Sequence, residues 1–133
     1  MIALSLALSL RESGLQWRPK TGDRFTVSAP EMADEVFHLA EMVVEARTLD
    51  SGTILAFNGT TEWALDSVDQ DETVWLPDET HLREALGSAF SHLALRDGRH
   101  EVMISIDGED QSFIDDDVEN SYARALLAVL TQK

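Results

Sequence analysis

Apolar residues at Ile2, Leu4, Leu6, Leu8 and Leu10 alternate with their neighbours in the manner of a strand. The residue types argue the other way. The stretch is Leu, Ala and Ser, with Ile2 as its one β-branched residue, and that composition favours helix. The exit decides between the two. Gly14 suits the left-handed position after a helix, and Leu15 can then fold back on Leu10 as in a Schellman stop. The pattern predicts a helix over Ile2–Ser13.

Trp17-Arg18-Pro19 reads as a turn into a strand at Asp23–Ser28, with Phe25 and Val27 on one face and Arg24 and Thr26 on the other. Val36–Leu39 and Met42–Thr48 are strand material. Leu49-Asp50-Ser51-Gly52 is turn chemistry, and Thr53–Phe57 is a short buried strand. Asn58-Gly59 is a strong hairpin signal, because a type I′ turn needs positive φ at both central residues. Thr61–Leu65 then returns as a strand or, given Ala64 and Leu65, forms a short helix.

Thr73–Leu76 ends a strand, and Pro77-Asp78 opens a helix with Asp78 as N-cap and Glu79 in the first turn. Leu82, Leu86, Ala89, Phe90 and Leu93 follow as one apolar helical stripe. Asp97-Gly98 and Asp107-Gly108 are hairpin turns flanking a strand at Glu101–Ile106, with another strand near Ser112–Ile114. The last helix starts at the Asp115-Asp116-Asp117 run. Asp116 and Glu119 have capping-box spacing, and Val118, Tyr122, Ala125, Leu126 and Val129 form the buried stripe.

This order predicts an α+β fold: a mainly antiparallel sheet of about six to eight strands with N-terminal, central and C-terminal helices. The chain has 133 residues, the size of one domain spanning 1–133, and 44% of them are hydrophobic. No repeat, low-complexity tract or linker interrupts it.

Charge changes the picture more than composition does. There are 25 acids against 10 Lys and Arg, a net charge of −15. That balance disfavours nucleic acid and anionic membranes and leaves a basic protein as the complementary partner. The bases are uneven: Arg11, Arg18, Lys20 and Arg24 cluster early, while Glu62–Glu79 and Glu101–Glu119 hold no Lys, Arg or His. The apolar start, Met1–Leu10, lacks a basic flank and a small-residue cleavage site, and is about half the ~20 residues of a membrane span. A cytoplasmic location is the expectation.

The candidate chemistry is sparse. The chain has no cysteine, which removes disulfides, thiolate nucleophiles and Cys-ligated metals. A phosphate loop, a dinucleotide-binding Gly-x-Gly-x-x-Gly and a Gly-x-Ser-x-Gly elbow are all missing from the sequence. His38, His81, His92 and His100 make no His-x-x-x-His pair, and His81 and His92 are too far apart along the predicted helix to share an ion. Asp69-Gln70-Asp71-Glu72 begins like an EF-hand loop, but Val74 sits where the turning glycine belongs, and Asp107-Gly108-Glu109-Asp110 fails in the same way. No metal and no cofactor are expected.

Three tryptophans, Trp17, Trp63 and Trp75, each lie beside a turn or an acidic stretch. Packing accounts for most such residues, since an indole buries a large area, and an exposed aromatic anchor is the alternative. Trp63, Asp66, Asp69, Asp71, Glu72 and Trp75 are therefore the candidate partner-binding residues.

Several segments together resemble a family of small uncharacterised bacterial proteins, notably from actinobacteria. They are Gly14-Leu15-Gln16-Trp17-Arg18-Pro19, Gly22-Asp23-Arg24-Phe25, Asp34-Glu35-Val36-Phe37, Phe57-Asn58-Gly59-Thr60-Thr61-Glu62-Trp63-Ala64-Leu65-Asp66 and Trp75-Leu76-Pro77. The likeness spans most of the chain and fades near residues 97–114. Some family members carry a pilus-assembly label. The resemblance implies no known activity, so no functional residue carries over from it.

The sequence thus reads as a non-catalytic protein-interaction or regulatory module, one version being an immunity-like antagonist of a basic target. A small enzyme using carboxylates with His38 or His81 is the alternative. Both a monomer and a homodimer fit, since edge strands and exposed tryptophans can build a two-fold interface.

Overall fold

A computed structural model describes residues 1–27, 36–38, 44–49, 52–57, 67–69 and 73–132. The chain divides into two compact units. One is Met1–Gln16 with Pro77–Lys133, and the other is Trp17–Leu76. The second is thus inserted in sequence between the first and second helices of the first.

The first unit opens with α1 (Leu4–Glu12), which buries Ala7 and Leu10. Its stop is the predicted one. Gly14 takes φ 107°, its amide donates to Arg11 O at 3.1 Å, and the Leu15 amide donates to Leu10 O at 3.0 Å. Those two bonds are the Schellman pair, and glycine permits them because a Cβ strains at that φ.

After Pro77 comes α2 (Glu79–Leu86), capped by Asp78, whose carboxylate accepts from the His81 amide at 3.0 Å. The predicted stripe through Leu82, Leu86, Ala89, Phe90 and Leu93 does not continue as helix. Leu82 and Leu86 are buried in α2, but Gly87 turns to φ 55° and a single 3-10 turn, Gly87–Ala89, follows. Phe90 and Leu93 belong instead to a strand, β7 (Phe90–Arg96), where Leu93 lies opposite Val102. The helical spacing is coincidental there. Glycine breaks the helix, and cross-strand partners stabilise the aromatic and aliphatic residues better than another turn does.

β7 pairs with β8 (Arg99–Ile106), and β8 pairs with β9 (Glu109–Asp115), in an antiparallel meander. Both predicted hairpin turns are present, with Asp97 at φ 53° and Asp107 at φ 52°, each followed by a positive-φ glycine. The meander packs against α3 (Val118–Thr131). Phe90 of β7 stacks on Tyr122 at 5.7 Å, and Val102, Ile104, Tyr122 and Leu126 are fully buried. Each such side chain contributes about 1.5–3 kcal/mol relative to exposure.

The cap of α3 differs from expectation. Asp117, not Asp116, accepts from the Glu119 and Asn120 amides, while Asp116 is exposed and pairs with Arg99 at 2.8 Å. The cap belongs to the residue whose oxygen reaches the amides two and three positions on, and the run of three aspartates hides which one that is. α3 also buries Ser121 and Ala123 beside the predicted stripe, because it packs on α1, α2 and the sheet together.

The second unit holds two further three-stranded antiparallel sheets. In one, β1 (Arg24–Val27) is central between β2 (Phe37–His38) and β6 (Thr73–Trp75). In the other, β4 (Gly52–Phe57) is central between β3 (Val44–Leu49) and β5 (Ser67–Asp69). Leu49 pairs with Gly52, the two ends of the predicted turn, while Asp50 and Ser51 lie outside the described residues. Thr26, on the face opposite Phe25 and Val27, is 5% exposed, so β1 is covered on both faces at that point.

The α+β class, the antiparallel pairing and the three helices are as the sequence predicts. Among the described residues the strands sort into three small sheets. Asn58-Gly59 and Thr61–Leu65 lie outside the described residues.

Candidate functional site

Charge is distributed unequally along the β7–β8–β9 sheet, and the hairpin order causes it. The β7–β8 turn and the β8–β9 turn lie at opposite ends of an antiparallel meander. At the β7–β8 end, three cations pair with three acids, and Asp97 of the turn is the one acid with no ion pair among the described residues. Arg96 Nε is 3.6 Å from Glu101 Oε1, Arg99 Nε is 2.8 Å from Asp116, and Arg124 Nε is 3.1 Å from Asp115. Glu101 is 5% exposed, and a carboxylate that deep requires such a partner.

The β8–β9 end is different. Asp107, Glu109 and Asp110 are all exposed, and among the described residues no cation pairs with any of them. Ser105 and Ser112 extend the same exposed strip, Ser105 lying opposite Asp110. Three carboxylates thus project from one end of the sheet with no counter-ion among the described residues.

The remaining acids of this region hold the fold together. Asp117 accepts from two α3 amides and from the Met1 ammonium at 2.7 Å. Burial works against its charge, yet the ammonium and the amides outweigh it and hold its carboxyl below the usual value. Asp115 follows the same logic. Burial opposes ionisation, but the Asp117 amide and Arg124 win, and its carboxyl is lowered too. The hydrogen bond to Asp117 in turn raises the Met1 ammonium. Glu119 accepts from the Glu79 amide at 3.0 Å, which ties the start of α2 to α3, and Asn120 Oδ1 accepts from Ala3 at 2.7 Å at the start of α1.

Arg83 is likewise structural. Its Nε and Nη2 donate to Tyr122 Oη at 3.1 and 2.6 Å, and its guanidinium lies 4.9 Å from the Phe90 ring centroid.

In the second unit, register builds an aromatic row. Phe25 lies opposite Phe37 on one side and Trp75 on the other. Trp17 closes over it, 5.5 Å from Phe25 and 6.3 Å from Trp75, with the two indoles 9° from parallel. The Trp17 Nε1 donates to Asp23 at 2.8 Å, and the Lys20 amide donates to the same oxygen at 3.0 Å. The buried Asp23 therefore fixes both the indole and the turn that carries it.

Of the six residues singled out by sequence, Trp75 is half-buried within this aromatic row. Asp69 sits in β5 opposite Ile54, on a different sheet. Trp63, Asp66, Asp71 and Glu72 lie outside the described residues. The histidines fall on four separate elements: His38 in β2, His81 in α2, His92 in β7 and His100 in β8. His81 and His92, expected on one helix, are separated by the break at Gly87, and the His81 Nδ1 closes the capping box on the Asp78 amide.

Among the described residues, no group of three or more His, Asp or Glu could hold a metal ion, and no helix is long and apolar enough to cross a membrane. No family model matches the chain, and comparisons with curated proteins and with solved structures found no match.

Proposed function

We propose that this chain is a non-catalytic interaction or regulatory module that takes a basic protein partner on an acidic surface. One observation carries the reading: Asp107, Glu109 and Asp110 project from one end of a packed sheet with no ion pair among the described residues, whereas at the other end Arg96, Arg99 and Arg124 pair with three of the four acids and leave Asp97 alone. The excess charge of the chain is thus local at this end as well as global. Such a field speeds encounter with a cationic partner and orients it, and salt weakens it over a Debye length of about 10 Å at 0.1 M.

The reading includes the version in which the partner's own basic surface is its working surface, so that binding blocks it. Pull-down with the immobilised chain at low and high salt, followed by identification of the retained proteins, is the test. A basic protein held at low salt and released at high salt is the expected result. Retention of only neutral or acidic proteins, indifferent to salt, contradicts it.

A further inference from the structure

The β7–β8–β9 sheet has two edges, and they are not equivalent. β7 is interrupted by a register shift between Phe90 and His92 and carries His92 and Arg96 but no acid. β9 pairs with β8 through seven consecutive positions, from Glu109 opposite Ile106 to Asp115 opposite His100, with no shift. Bulges and cations are devices that blunt an edge; a long regular strand is an open template.

β8 occupies one side of β9 only. Among the described residues, no hydrogen bond besides the ladder to β8 reaches the backbone of 109–114. The outward amides and carbonyls of β9 therefore face away from the sheet with no partner among the described residues.

The side chains along this edge specify what can add to it. Glu109 and Asp110 are exposed and anionic, one on each face of the strand, while Phe113 and Ile114 toward the other end are half-buried and apolar. A second copy of the chain is a poor fit. Antiparallel self-pairing centred on Ser112 sets Glu109 of one copy across from Asp115 of the other, and like charges in opposed positions destabilise a ladder.

We propose that β9 is a docking edge for an extended basic segment of a partner, which adds as a fourth strand beside Glu109–Asp115. Lysines or arginines of the segment lie opposite Glu109 and Asp110, and β-branched or apolar residues lie opposite Phe113 and Ile114. Main-chain bonds supply affinity and the charge pattern supplies selection, as in other strand-addition modes. This rests on the acidic-docking reading above and deepens it by naming the chemical form of the partner.

The test uses the intact protein and a synthetic peptide with β-branched residues at its first half and lysines at its second. Two isomers of it are N-methylated at alternate residues, one in each phase. All three carry the same charge. Strand addition predicts that one isomer, whose lost N–H groups face β9, binds roughly tenfold or more weakly than the other. It also predicts that alternate amides within 109–115 gain hydrogen-exchange protection when the unmethylated peptide is bound.

Equal binding by all three peptides, weakened by salt and by Glu109→Gln with Asp110→Asn, overturns strand addition while leaving the acidic surface in place. Failure of every peptide to bind at low salt also overturns it. The acidic-docking reading is then judged by its own pull-down.

Discussion

The indoles of Trp17 and Trp75 lie 6.3 Å apart and within 9° of parallel, although they are 58 positions apart in the chain. Trp17 comes from the loop before β1 and Trp75 from the end of β6. Their meeting depends on β1 pairing with β6 so that Phe25 sits opposite Trp75. A double-mutant cycle of Trp17→Leu and Trp75→Leu in a denaturant titration should give a coupling energy of about 0.5–1.5 kcal/mol. A coupling energy near zero contradicts the stack.

Removing the Trp17 side chain altogether should be costly. Trp17→Ala deletes the contacts to Phe25 and Trp75 and takes away the indole N–H that Asp23 accepts. For a half-buried tryptophan, about 2–3 kcal/mol of stability should be lost in a denaturant titration. A loss near zero places Trp17 outside the packed structure.

The stop of α1 makes a backbone prediction. Nothing lies within 4 Å of a Cβ built on Gly14, so Gly14→Ala clashes with no neighbour; its cost is the strain of φ 107° alone. Thermal or denaturant unfolding should show a loss of roughly 1 kcal/mol. An unchanged or raised stability means that the Leu15 to Leu10 bond is not the helix stop.

That stop was readable from sequence because it is local: glycine at one position and two leucines five apart fix it. The two hairpin turns of the meander, Asp97-Gly98 and Asp107-Gly108, were readable for the same reason. What the sequence concealed is non-local or degenerate. Phe90 and Leu93 satisfy a helical period and a strand ladder equally well, and only Gly87 and the partner Val102 separate the two. Asp116 and Asp117 compete for one cap. The Trp17–Trp75 stack and the compensation of Arg96, Arg99 and Arg124 depend on strand register, which no spacing records. The uncompensated end at Asp107, Glu109 and Asp110 was half legible. The base-free run showed in the sequence, while the absence of a spatial counter-ion did not.

The α3 cap predicts a pH dependence. Asp117 and Asp115 both have carboxyl groups lowered from the ordinary 3.8 in the folded protein. A lowered value means the folded state favours ionisation more than the unfolded chain does. The stability they contribute is complete above about pH 4 and is lost as pH falls through the folded values. Asp117→Ala should cost about 1–2 kcal/mol at neutral pH, as an N-cap does. It should also flatten the acid limb of the stability profile. An acid limb identical to that of the unaltered protein assigns the acid sensitivity to other groups.

Reversing charge at one end of the β7–β8–β9 sheet and neutralising it at the other tests the acidic docking surface most directly. The affinity of the retained basic partner is measured by calorimetry at low salt for two variants. Asp107→Lys, Glu109→Lys and Asp110→Lys together should weaken binding by at least about tenfold and flatten its dependence on salt. Arg96→Gln with Arg99→Gln, at the compensated end, should not weaken it. Undiminished binding by the triple variant, or an equal loss in both, contradicts an acidic docking surface at this end of the sheet.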